Sequence, residues 1–195
     1  EIVMLSRSEM YNKALVPVTR LFNEYFGGSM NSIVFQEIRE SKGLAYSAYA
    51  GYRNPVKPED HAYLMSYIGT QNDKLPEAMK AMMGIFNNMP ESEKALNSSK
   101  TAIVNKIRTE RITKSQILFN YINAAKFGLT YDIRKDVFEK VPSMTFADLK
   151  GFQEKMIKNK NFNIMLLGKK ADFDMKTLES YGTVTPLTLE DIFGY

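Results

Sequence analysis

The sequence contains no cysteine and a single histidine, and no stretch of it is a long apolar run. The missing cysteines exclude disulfides and thiolate metal sites while leaving both reducing and oxidising compartments open. With one histidine there is no clustered set of side chains at metal-ligand spacing. His61 is followed by Ala62, Tyr63, Leu64 and Met65, so neither His-x-x-Glu-His nor His-Glu-x-x-His is present. At a strand entrance it reads as a surface or hydrogen-bonded structural histidine. Nothing approaches the roughly 20 apolar residues that cross a bilayer. The opening Glu1-Ile2-Val3-Met4-Leu5 lacks the charged leader and long apolar stretch of a signal peptide. The expectation is a soluble chain with no membrane partner and no assignable compartment. Because it opens mid-strand on a residue other than methionine, it reads as a domain excised from a longer polypeptide.

What is present is enough for a core. At 195 residues, 44% hydrophobic and 25% charged, the chain is expected to form one globular domain over 1–195. The net charge of +4 hides an asymmetry, because residues 100–170 hold 15 Lys and Arg against 6 Asp and Glu. Lys106, Arg108, Arg111 and Lys114 are interleaved with helix-period apolar positions. Neither an aromatic stacking pattern nor a glycine-rich phosphate loop accompanies them. The tract reads as a solvated helix face, or a face against a neighbouring domain, and not as a nucleic-acid site.

The hydrophobic period alternates between two and 3.6 along the chain. It predicts a strand over 2–6, then a helix with Val18, Leu21, Phe22, Tyr25 and Phe26 on one stripe, stopped by Gly27-Gly28. A second helix is capped at Asn31 or Ser32, carries Val34, Phe35 and Ile38 inward and ends at Gly43. Strands follow at 45–52 and 62–70, the first with Tyr46, Ala48, Ala50 and Tyr52 on one face, and the two pair antiparallel. Helices are expected at 75–87, 92–113, from a Ser115 cap to Gly128, at 131–139, 146–158 and 173–180. In the helix after Ser115, Ile117, Leu118, Tyr121, Ile122 and Ala125 share one side. Further strands fall at 162–167 and 182–185. This order does not alternate as a doubly wound sheet would. It implies an α+β fold, an antiparallel or mixed sheet with helices gathered on one face.

Chemistry concentrates between Gly27 and Arg53. Arg39 in a last helical turn and Tyr46 at a strand start are fixed-geometry donors seven residues apart, able to converge on a peptide carbonyl or the oxyanion it becomes. Taken alone they have plainer readings: Arg39 as a cation at a helix C-terminus or a partner of Glu40, Tyr46 as a half-buried strand residue. Glu37 and Glu40 have no second acid or base beside them and read as solvated helix charges.

The stretch Tyr25-Phe26-Gly27-Gly28-Ser29-Met30-Asn31-Ser32-Ile33-Val34-Phe35-Gln36-Glu37-Ile38-Arg39-Glu40-Ser41-Lys42-Gly43-Leu44-Ala45-Tyr46-Ser47 resembles the signature of the zinc-free domain in the insulinase/pitrilysin metallopeptidases, which include mitochondrial processing peptidases. The compound pattern carries the resemblance: a glycine pair ending one helix, a Phe-Gln-Glu-Ile-Arg helix and a Lys-Gly-Leu-Ala-Tyr turn. The resemblance implies that Arg39 and Tyr46 are the family's Arg/Tyr pair, contacting the substrate carbonyl and oxyanion from the C-terminal part of a longer chain. It implies a weaker substrate contact for Gly27 and Gly28. It also implies a zinc ion held not here but by a His-x-x-Glu-His domain, in the same parent chain or a partner subunit, with peptide as substrate. This chain alone would be catalytically silent. The other function it implies is a non-catalytic scaffold of the same fold, comparable to the core subunits of the respiratory cytochrome complex.

Overall fold

The computed structural model describes residues 1–195 and contains a four-stranded, wholly antiparallel sheet of order β2-β3-β1-β4. The strands are β1 (Ile2–Met10), β2 (Ser47–Arg53), β3 (His61–Gly69) and β4 (Asn163–Leu166). Alternation builds the two faces. Ile2 and Met4 of β1, Ala48, Ala50 and Tyr52 of β2, and Ala62, Leu64 and Ile68 of β3 are buried against helices. The opposite face carries Tyr49 stacked on Tyr67 at 5.2 Å and the exposed Tyr63. The fold is α+β as the element order implies, with the mixed-sheet option removed.

Against the buried face pack α1 (Val16–Phe26), α2 (Leu75–Asn87) and α6 (Phe146–Met156), while α3 (Glu93–Thr109) and α5 (Arg134–Lys140) pack on α1. Phe22 stacks on Phe26 at 4.7 Å, Phe26 on Phe86 at 5.9 Å and Phe86 on Phe162 at 5.0 Å, while Phe152 fills the gap between Phe22 and Tyr52. These rings anchor a cluster of 31 buried apolar residues. Rings of this size each bury a large apolar area, so a short sheet suffices to organise the core. Two further helices, α7 (Met175–Tyr181) and α8 (Leu189–Phe193), end the chain, and the strand expected at 182–185 is irregular backbone instead.

Glycine makes one contact possible. The α1 carboxyl end lies so close to β2 that a Cβ on Gly27 would sit 2.3 Å from the Ala50 carbonyl oxygen. Only a residue without a side chain fits there. The Ala50 amide donates to the Gly27 carbonyl at 3.4 Å. Asn23 accepts the Tyr52 amide at 2.7 Å and donates to the Tyr52 carbonyl at 2.8 Å, so its side-chain amide acts as one more strand residue. The outer edge of β2 is closed at these positions.

Several boundaries differ from the sequence expectation for local reasons. β1 runs on to Met10 because β3 offers partners as far as His61. The turn before α1 is a 3-10 segment, Lys13–Leu15, capped by Asn12. α3 stops at Thr109, where Glu110 turns extended, and the next helix, α4 (Lys114–Lys126), is capped by Thr113 and not Ser115. Thr113 wins because Gln116 reaches back to its amide at 2.7 Å, closing a capping box. The largest departure is that no residue of α4 is buried.

Candidate functional site

The helix expected to end at Gly43 is a π-helix over Phe35–Ser41. With i→i+5 bonding each turn holds more than four residues, so Phe35 and Arg39 lie nearly one above the other. The Arg39 guanidinium carbon is 4.7 Å from the Phe35 ring centroid. Gly43 then takes a left-handed φ of 56°, its amide bonding the Arg39 carbonyl at 3.1 Å and the Leu44 amide bonding the Ile38 carbonyl at 2.9 Å.

Four further bonds fix where the chain goes next. Lys74 donates to the Gly43 carbonyl at 3.1 Å, Thr70 donates to the Leu44 carbonyl, and the Tyr46 amide donates to the Gly69 carbonyl at 2.9 Å. At the far side of the helix the Gln36 amide holds the Met30 carbonyl at 2.7 Å. The Leu44 side chain is buried, which completes the anchoring. Tyr46 therefore stands on a rigid turn yet is 85% exposed. This differs from the inward face shared with Ala48, Ala50 and Tyr52, because the ladder of β2 starts one residue later, at Ser47.

Arg39 and Tyr46 come together. The guanidinium carbon lies 5.5 Å from the Tyr46 ring centroid, a cation–π distance. Arg39 is also 3.6 Å from Glu40, an exposed pair of the kind that contributes little. Glu37 pairs with Lys42 at 3.8 Å. An open cleft of about 490 Å³ borders the phenol, with Tyr67, Gly69, Thr70 and Lys74 among its walls. The glycine pair is not part of it: Gly27 is buried against β2, and Gly28 lies against the Asn23 carbonyl, where an added Cβ would be 2.7 Å away. Phe35, expected inward, is half-exposed beneath Arg39. Its four-residue spacing from Arg39 was the available signal. Lys74 and Thr70 had no sequence signal, since their role arises from tertiary pinning of the turn.

The residues of this chain do not fit a metal. No three of its acidic or histidine side chains gather in a way that could hold an ion. His61 has Nδ1 2.7 Å from the Ser8 carbonyl oxygen, a structural bond across the β1–β3 pair. No helix is long and apolar enough to cross a membrane.

Residues 4–103 match the family model described as the peptidase M16 inactive domain, and the chain belongs to that family. It is 37% identical over 83 residues to the uncharacterized zinc protease YmxG of Bacillus subtilis, a match covering 41% of this chain and 20% of that protein. In fold it is similar to the peptidase M16 inactive domain of Pseudomonas fluorescens, with a TM-score of 0.67 and 16% identity over 84% of this chain and 39% of that one. It is also similar to the inactive peptidase domain of a putative zinc protease from Bordetella parapertussis, with a TM-score of 0.66 and 9% identity over 86% and 92% of the two chains. The chain thus spans about a fifth of the length of its curated relative and about two fifths of the Pseudomonas chain.

Proposed function

We propose that this domain supplies Arg39 and Tyr46 as a donor pair to the scissile peptide carbonyl in a zinc peptidase whose metal is held by a His-x-x-Glu-His domain, in the same parent chain or in a partner subunit. The observation that carries the reading is an 85% exposed tyrosine on a turn fixed by backbone hydrogen bonds, its ring 5.5 Å from a guanidinium carbon. Exposed aromatic side chains that serve packing do not need such anchoring. Side chains that must meet a substrate atom do, because misplacement by an ångström costs rate.

The pair suits the charge that develops. A peptide carbonyl oxygen gains negative charge as its carbon is attacked, and N–H and O–H donors held in advance stabilise that oxygen more than the starting carbonyl. Stacking on Phe35 and Tyr46 limits the rotamers of Arg39, so less freedom is lost when substrate arrives. Because Arg39 and Tyr46 contact backbone atoms under this reading, they would be indifferent to peptide sequence.

The test pairs this chain with the His-x-x-Glu-His half encoded in the same gene or its neighbour. Arg39→Ala and Tyr46→Phe are each expected to lower peptide turnover by roughly a hundredfold to a thousandfold with the fold intact. Full activity in both variants would refute the assignment. A neighbourhood with no such half would favour the scaffold reading.

A further inference from the structure

The segment from Glu110 to Asp132 stands out from the body as an arm. Its base is locked: Arg134 bonds Glu110 at 2.9 Å and Asp132 at 2.9 Å, bringing the two ends of the arm together. The Tyr131 hydroxyl donates to Asp136 at 3.0 Å, and Phe127 packs on Tyr11 with ring centroids 4.3 Å apart. Between these fixed ends α4 has a complete N-terminal capping box and no buried residue. Ile117, Leu118, Phe119, Tyr121 and Ile122 are between 49% and 72% exposed. An unsupported helix of 13 residues is marginal in water, and a cluster of this kind on a held arm is what a partner surface covers.

We propose that α4 is the docking surface through which this domain grips its zinc-bearing half, entering an apolar groove rimmed by carboxylates. Naming that half as the occupant rests on the function proposed above. Charge selects the chemistry of the groove. From Arg111 to Tyr131 the chain has no Asp or Glu, while Arg111, Lys114 and Lys126 flank the apolar stripe. Two copies of α4 packed together would set Lys114 against Lys126 when antiparallel and like against like when parallel, so a second copy is disfavoured. A membrane surface fits less well, because interfacial helices carry cations along the polar face, and here Gln116, Asn120 and Asn123 occupy it. Relatives of the same fold have chain to spare, since the match covers only 39% of the Pseudomonas protein.

Position gives the contact a purpose. Tyr46 bonds Gly69 at the Ile2 end of the sheet, whereas the arm meets Tyr11, just beyond Met10 at the other end of the nine-residue β1. At about 3.3 Å per residue the two ends lie roughly 27 Å apart along the strand. A partner held by α4 grips one end of the sheet and reaches over it to bring its metal to the Arg39 and Tyr46 end, leaving α4 itself clear of the chemistry.

Amide hydrogen exchange over 114–126 is measured in this chain alone and in the intact protein, or in a mixture with the separate His-x-x-Glu-His half. The expected result is strong protection of α4 only when that half is present. Leu118→Glu and Tyr121→Glu, at exposed positions that the fold does not use, should weaken association at least tenfold. Turnover in Leu118→Glu should recover as the halves are concentrated, whereas turnover in Arg39→Ala should not, which separates a docking defect from failure of the donor pair. Unchanged exchange or unchanged affinity overturns the inference and leaves the donor-pair reading standing. Self-association seen by sedimentation, or binding to phosphatidylserine vesicles, overturns it too if abolished by Leu118→Glu.

Discussion

The body of this domain and its arm are built from similar residues and reach opposite outcomes. In α1, Leu21, Phe22, Tyr25 and Phe26 are fully buried, while in α4 Leu118, Phe119, Tyr121 and Ile122 face solvent. Both helices are amphipathic and both are well terminated, α1 at Gly27 and α4 through its capping box. The difference is tertiary. α1 lies on the sheet and inserts its carboxyl end against β2, but α4 finds no surface of the body that buries any of its residues. Helical pattern reports that a face wants cover; it does not report whether the same chain provides it.

Substitutions can break the contrast. The largest effect is expected at Phe22→Ala, which removes a ring wedged between Phe26 and Phe152 and should cost about 3–5 kcal/mol in urea unfolding, while Leu118→Ala in the isolated chain should stay within about 0.5 kcal/mol. Gly27→Ala comes next. Its methyl group would press on Ala50 backbone that cannot yield as a side chain can, for a loss of about 1–3 kcal/mol. Gly151→Ala within α6 meets nothing within 4 Å and should instead stabilise by about 0.5–1 kcal/mol, measured the same way. Asn23→Ala strands the Tyr52 amide and carbonyl and should lower the denaturation midpoint by an amount equivalent to about 1–3 kcal/mol.

Smaller effects separate the two regions by pH. Burial pushes the Tyr25 phenol up to about 12, its hydroxyl donating to the Pro90 carbonyl and accepting the Ser92 amide. A phenol whose folded pKa is raised stabilises fully below the unfolded value near 10, and that contribution is lost as pH rises through about 12. The body should therefore loosen in alkali, read as falling thermal midpoint across that window. Asp132 behaves in the opposite sense: hydrogen bonds from Arg134 hold its carboxyl below the usual range. Its contribution is present above the ordinary carboxylate pKa and is lost as pH falls through the lowered value. Faster exchange in the arm at acid pH, ahead of the core, is the outcome to look for.

Much of this architecture was legible in the residues. Gly27, Gly43 and Asn88-Met89-Pro90 mark helix ends, and alternation in Ala48, Ala50 and Tyr52 reveals the buried face of β2. The compound motif pointed to Arg39 and Tyr46, and the two side chains do meet in space. Three features were not legible. The π-helix depends on how Gln36 and the turn at Gly43 tie down both ends, local bonds that hydrophobic periodicity does not encode. The outward direction of Tyr46 depends on its place before the ladder, which starts at Ser47, so the alternation that buries Ala48, Ala50 and Tyr52 does not extend to it. The exposure of α4 depends on whether the body of the fold offers it a surface, which helical periodicity does not encode.

Closure of the β2 border by Asn23 and Gly27 limits how a peptide can be captured beside Tyr46. Extended ligands commonly zip onto an unoccupied strand, but here the Ala50 amide and both the amide and the carbonyl of Tyr52 already have companions. A guest arriving at the Tyr46 tip therefore meets a border already occupied from Ala50 to Tyr52 and cannot lengthen the sheet along it.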